Sequence, residues 1–495
     1  MRPVGASRRW WALTAVSVAN FMAYLDNNVT NVALPTIQRS LHLSVAGLEW
    51  VVSSYLLVLA GMLLVGGRLA DVYGRRRVFL AGMTVFTLSS LAAGLAGSGG
   101  MLIADRAVQG LGAALFLPAT LAIIMAAFTE TRERTAAIGI WGAIAGLALA
   151  LGPVIGGVVS QHVHWGWIFL INVPIGVITL AIGAWSVAES RAESASRRLD
   201  LPGLLTSALG LFALTYALIE GQNHGWTSGT ILGAFAVTAV ALAAFLVIEA
   251  RTAHPMVSLP MFRSRSFSGG IGTMMIWGFA ILGIYFFTSI YLQNVLGFSP
   301  TKAGLAFVPM ALCLAAFAAV AERVVALIGS HRTVALGMLV MTVGLLLLVQ
   351  DGTHAGLGSL MPGFILFGAG SGLMNVPLTN AVMGAAPAAR SGIASALLNA
   401  SREVAGLLGV TVIGAVLRTV QSSSLSSGAR PLAAFVDGYH AGLWVAISVM
   451  AVSVVLSYVT LRPRGTSGQL IVMEQTPVEM PVMRASVTDQ EAIVE

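Results

Sequence analysis

Apolar runs of about twenty residues recur from one end of the chain to the other, each long enough to cross a bilayer as a helix. They predict spans near 10–34, 48–70, 77–97, 101–127, 135–160 and 165–188, then 201–220 and 229–249. Six more follow near 268–293, 302–328, 331–350, 357–383, 393–419 and 440–462. The polar segments 189–200 and 250–267 carry most of the charge of the middle region, so they bracket one inserted pair of helices. The pattern predicts an all-α membrane protein of fourteen transmembrane helices in a six, two, six plan. Its parts are 1–188, a linker and helix pair over 189–267, a second six-helix unit over 268–462, and 463–495. That last stretch mixes Ser, Thr, Pro and scattered acids without an apolar period and is expected to be a disordered cytoplasmic tail.

Composition agrees. Of 495 residues, 57% are apolar and 9% are charged, against roughly 25% charged in soluble domains. The 55 glycines suit helices that approach closely in lipid. A net charge of +7 would suit nucleic acid if the 27 basic residues shared one surface, but they are scattered between apolar runs. No nucleic-acid partner is expected. The one cysteine, Cys313, excludes an intrachain disulfide, and His162, His164, His331 and His354 lack metal-ligand spacing. No metal and no cofactor are expected. The start, Arg2 to Arg9 followed by Trp10 to Leu25, has the look of a signal peptide, but no small-residue cleavage site follows, so it reads as an uncleaved first span.

The positive-inside rule tests the span count, because each span flips the side of the next segment. With the N-terminus in the cytoplasm, 21 of the 27 basic residues fall inside. Arg39, Lys302, Arg418 and Arg430 fall outside, and Arg106 and Arg402 fall within spans. One span more or fewer would scramble the alternation. Both termini are expected in the cytoplasm of a cell-membrane protein.

A charge at mid-span costs roughly 2.5–3.5 kcal/mol on insertion scales, so each one asks for a reason. Asp26 lies in a polar break, Asp26-Asn27-Asn28-Val29-Thr30-Asn31, in the first span. At about 100° per residue, Asp26, Asn27, Thr30 and Asn31 fall on one face, with Asn28 beyond it. Such a face either lines a cavity, as a proton carrier or substrate ligand, or glues helices together. Low dielectric favours the neutral form of any carboxyl group, which suits the first reading. Arg106 lies at a depth from which it can pair with Asp26; Asp105 beside it is the alternative partner. An arginine keeps its proton, so its expected role is to tune a neighbouring acid.

Two further motifs concern movement. Gly66-Gly67-Arg68-Leu69-Ala70-Asp71-Val72-Tyr73-Gly74-Arg75-Arg76-Arg77 turns between spans two and three. Its arginines fit a membrane anchor, whereas Asp71, Gly67, Gly74 and Arg75 fit a gate whose ion pair forms in one conformation and breaks in another. In span five, Gly152-Pro153 with Gly156-Gly157 predicts a kink and close packing. Glu220, Glu249 and Glu322 fall at span ends, where solvation accounts for them. Arg402 and Glu403 form a local pair or face a cavity. No Walker-type loop is present, so ATP is not expected to supply the energy.

In this order the motifs resemble the major facilitator superfamily, in its fourteen-span drug:proton antiporter branch. Leu25-Asp26 to Asn31-Val32-Ala33-Leu34-Pro35 is similar to that branch's first-span motif, and Gly67 to Arg77 to the superfamily's loop motif. Arg106-Ala107-Val108-Gln109-Gly110 resembles the fourth-span motif, and Gly152-Pro153 to Gly156-Gly157 the fifth-span motif of antiporters. Trp167-Ile168-Phe169-Leu170-Ile171-Asn172-Val173-Pro174 is similar to a stretch of the fourteen-span exporters. The resemblance implies two six-helix bundles about a central cavity, alternating access, and a monomer that exports a drug or antibiotic in exchange for protons and is not an enzyme. It adds Gln109 to the coupling residues. Asn27, Asn28 and Thr30 depart from the family's more apolar pattern and imply a more polar pocket, and Gly166 stands where an arginine is usual. A symporter or importer of a small metabolite on the same fold is the rival reading, with a polytopic membrane enzyme behind it.

Overall fold

A computed structural model describes residues 6–191, 200–252, 255, 257, 259–386 and 391–462. The tail 463–495 and parts of both linkers lie outside the described residues. Fourteen long helices carry the fold. They are α1 (Ala6–Leu41), α2 (Val45–Tyr73), α3 (Arg75–Gly94), α4 (Gly99–Ala127), α5 (Thr131–His162), α6 (Trp167–Ser186) and α7 (Leu201–His224). The rest are α8 (Gly229–Arg251), α9 (Arg265–Val295), α10 (Pro300–Ile328), α11 (Ser330–Leu348), α12 (Leu357–Ala385), α13 (Ser391–Ser426) and α14 (Pro431–Thr460). Each expected span coincides with one of them. The largest discrepancy is α14, which starts nine residues before position 440 because Pro431 follows the N-cap Arg430 and presets the first helical turn.

Thirteen of the fourteen are long and apolar enough to cross a membrane by length and composition. The exception is α1, whose 36 residues include the polar break at 26–31. It compensates by burial: Val16, Ala19, Met22, Val32, Ala33, Leu34 and Ile37 are all sealed by neighbouring helices. Lipid does not have to solvate the polar break.

Helices α1–α6 pack on one another, α9–α14 do likewise, and α7 pairs with α8 and lies against α2 and α13. Chain ends gather as alternate crossing requires. Arg8 donates to the Trp185 carbonyl, Arg9 pairs with Glu133 and Arg76 donates to the Ala184 carbonyl, all at the arginine-rich end. At the opposite end the Trp165 indole donates to Ser40, and Asn294 donates to Gln38.

Gly74 makes the turn from α2 to α3 with φ +116°, a conformation that side chains rarely adopt. A Cβ there would also strike the carboxylate of Glu189, which accepts the amide of Arg76 and lies 3.6 Å from Arg77. Sequence alone did not tie the end of α6 to this turn.

Candidate functional site: a buried carboxylate network between α1, α4 and α6

Asp26 is 1% exposed and Arg106 is fully buried. Arg106 Nη1 meets Asp26 Oδ2 at 2.5 Å and Gln109 Oε1 at 2.6 Å. Gln109 Nε2 donates to Asp26 Oδ1 at 2.8 Å and to Ser90 at 2.8 Å, and Asn172 donates to Asp26 Oδ1 at 3.0 Å. Arg106 Nε reaches the Val51 carbonyl at 3.3 Å, and its guanidinium lies 4.3 Å from the centre of the Tyr55 ring. The carboxylate thus receives three side-chain donors, and the arginine sits on an aromatic face. These are conditions in which a buried ion pair can persist.

The expected partnership of Asp26, Arg106 and Gln109 is present; Asp105 does not take Arg106. The expected single polar face is not what forms. Asp26 and Thr30 turn towards their own half, and the Thr30 hydroxyl donates to the Asp26 carbonyl at 2.7 Å. Tyr24, Asn27, Asn28 and Asn31 lie on the other side of α1, because positions 24, 28 and 31 repeat at helical spacing while 26 falls roughly opposite 24. Asn27 and Asn28 are half-buried, and Asn31 is buried with its Oδ1 unpartnered. Asp26 and Arg106 therefore line no cavity in this conformation. Packing decided this: a guanidinium and two amides on α4 and α6 offer more to a carboxylate than a wet wall does.

On that second side of α1 the halves meet. The Tyr24 hydroxyl accepts from Arg402 Nη2 at 3.0 Å, and Arg402 also pairs with Glu403 at 2.5 Å. The local pair is thus realised, and Arg402 also reaches across to α1. The contact with Tyr24 was not legible, since no spacing links positions 24 and 402.

The gating residues sit within one half here. Arg75 bonds Asp71 at 3.1 Å and the Ala122 carbonyl at 3.3 Å, and a Cβ on Gly67 would lie 3.4 Å from Pro118. Helix α5 continues as one helix through Pro153, which lacks the amide that would bond Leu149. Gly152 packs on Asn28 and Gly156 on the Val29 carbonyl of α1, while Gly157 packs on Pro300 and Gly304 on the Pro153 carbonyl across the α5 and α10 seam. The Gln161 side chain accepts the Thr301 amide, and Gln293 of α9 donates to the Val32 carbonyl. These contacts close the arginine-poor end. Towards the arginine-rich end a Cβ on Gly139, Gly142 or Gly146 would meet nothing within 4 Å, and Leu312 and Leu327 of α10 are exposed. The seam opens in that direction.

Gly157→Val would drive a side chain into the Pro300 carbonyl. Overpacking of this kind costs about 1–3 kcal/mol, which shifts the closed end about five- to 150-fold towards opening. Thiol labelling of Gln293→Cys, buried at the closed end, in a Cys313→Ala background should rise in rate accordingly.

The model of the Major Facilitator Superfamily matches residues 16–410 and 283–479. "Multidrug resistance protein Stp" of Mycobacterium tuberculosis is 39% identical over 415 residues, covering 83% of this chain and 76% of its own. "Puromycin resistance protein pur8" of Streptomyces alboniger is 33% identical, covering 92% of each chain. "Cephamycin export protein CmcT" of Amycolatopsis lactamdurans is 36% identical, covering 92% of this chain and 93% of its own. Among solved structures, the POT family transporter PepTSo superposes with a TM-score of 0.68 at 14% identity, covering 93% of this chain and 99% of its own. A bacterial homologue of the lysosomal transporter Spinster, described as inward-facing and unoccupied, gives 0.66 at 16%, covering 92% and 98%. The structural likenesses speak to the fold.

Proposed function

The chain belongs to the Major Facilitator Superfamily, and from that premise we propose that it is a proton-coupled antiporter that exports a drug or antibiotic across the cell membrane and so confers resistance. The arginine-rich end is cytoplasmic, and both termini lie there. The observation that carries this reading is the sealed Asp26–Arg106 pair: an acid wholly inside the bilayer region, saturated with donors, and one helix face away from where the halves meet. The named resistance and export functions of the relatives support the direction and the substrate class.

The conformation corresponds to the inward-open state, with Asp26 ionised and paired. When the outer end opens, a proton reaches Asp26 and cancels the charge that Arg106 holds. Arg106 and Gln109 then rearrange against Val51 and Ser90, and α1 is freed to shift. Its opposite face, Tyr24, Asn27, Asn28 and Asn31, shifts with it, so proton and substrate sites are coupled through one rigid helix. Return to the inward state expels the proton as the pair re-forms. Asp71 and Arg75 engage the other half only when the cytoplasmic end closes, and Gly152, Pro153, Gly156 and Gly157 give α5 the close seam on which the halves rock. The protein acts as a monomer, and the proton gradient is its energy source.

The test uses inverted vesicles with an acidified lumen and a panel of antibiotics. A substrate should raise the lumenal pH as it enters. Further acidification on its addition would reverse the reading to symport.

A further inference from the structure

The coupling scheme does not use the buried ion pair between Glu49 and Arg418. Glu49, near the outer start of α2 and fully buried, pairs with Arg418 of α13, and so ties one half to the other. Glu49 falls at the start of the expected span 48–70, and Arg418 was counted among the outside segments; the structure buries both. Gly414, one turn before Arg418, leaves the space that the Glu49 carboxylate fills, since a Cβ there would strike it.

Arg418 has a second set of partners. Its Nη2 donates to the carbonyls of Leu218 and Ile219, each at 3.0 Å, and both belong to the inserted helix α7. The next residue on α7, Glu220, accepts the indole N–H of Trp50 at 2.9 Å, which anchors α7 to α2 beside Glu49. Glu220 also acts on Glu49 as a like charge, and Arg418 is the cation paired with Glu49. Two residues along α2 from Glu49, the Val51 carbonyl accepts Arg106. The latch residue and the proton network therefore share less than one turn of α2.

We infer that the Glu49–Arg418 pair is the latch that holds the outer end shut, and that the inserted helix α7 is the dock on which Arg418 stays when the latch opens. Parting a buried pair leaves a stranded guanidinium, which is costly unless other acceptors remain. The two α7 carbonyls supply them, and Glu49 gains water on the opened side. This assigns a role to the inserted helices: they let a buried charge pair open and close repeatedly without stranding its cation. The inference rests on the alternating-access reading above, but its readout is conformational and does not require transport.

The test is a distance measurement between spin labels at Arg39→Cys and Ser423→Cys, both exposed at the outer end, in the full-length Cys313→Ala protein in lipid nanodiscs. The parent should show a short-distance population, which Glu49→Gln moves to longer distances. Glu49→Asp should produce a smaller shift of the same sign, which keeps the test informative if the glutamine variant fails to fold. Asp26 and Arg106 are unaltered in both Glu49 variants, so the distance reads the latch alone, while transport by Asp26→Asn in inverted vesicles tests the coupling assignment separately. The reversed pair, Glu49→Arg with Arg418→Glu, should remain open, because a carboxylate would then face the α7 carbonyls. An unchanged distance in both Glu49 variants would overturn the latch, and closure of the reversed pair would overturn the dock.

Discussion

Asp26→Asn is expected to abolish proton-driven transport while leaving a membrane-inserted protein. The substitution keeps the shape and one acceptor oxygen, so Gln109 or Asn172 can still donate to it. It removes the charge that Arg106 holds at 2.5 Å, and with it the difference between protonated and ionised states on which coupling depends. Substrate-dependent alkalinisation of inverted vesicles should fall to the level of protein-free vesicles. Substrate binding, measured by equilibrium dialysis with the purified protein, should persist, because the face of α1 that meets the opposite half is unaltered. Retained coupled transport would remove Asp26 from the mechanism.

The second large effect is expected at Arg106→Leu. That change strands Asp26 among neutral donors and leaves the Val51 carbonyl without its arginine. Breaking a buried pair from one side costs about 3–5 kcal/mol, a large share of the stability of any membrane domain. Thermal unfolding in detergent should show a marked loss. The double variant Asp26→Asn with Arg106→Leu should recover much of it without recovering transport, since a neutral pair needs no compensation. If the single and double variants melted alike, the pair would not be the source of the cost.

Both expectations reach beyond what residue spacing could provide. That Asp26 and Arg106 meet was legible, because two charges at similar depth in apolar spans have few other ways to offset their burial. That Asp26 faces away from the other half was not. Helical periodicity places polar residues on a face but does not say which neighbour the face meets, and α1 has neighbours on all sides. The same blindness hid Tyr24 with Arg402 and Glu49 with Arg418: each pair joins residues more than 360 positions apart. Arg418 was counted among outside segments, yet it is 8% exposed and lies within α13. A hydropathy window averages over about a turn and a half at each span end, and a buried pair in that zone resembles a solvated one.

The number of helices, their alternation and the family were determined by the sequence itself. Bilayer thickness fixes the length of an apolar run, and arginine-rich and arginine-poor connections alternate along the chain. Tertiary structure alone decided which charges share a bond, which end of the seam is closed, and that the inserted helix α7 lies against α2 and α13 where the halves meet. Those outcomes depend on contacts between distant segments, whose energies local pattern does not encode. The physical reason is common to all of them: lipid solvates every apolar surface almost equally, so polar groups and close glycine seams, not hydrophobicity, choose the neighbours.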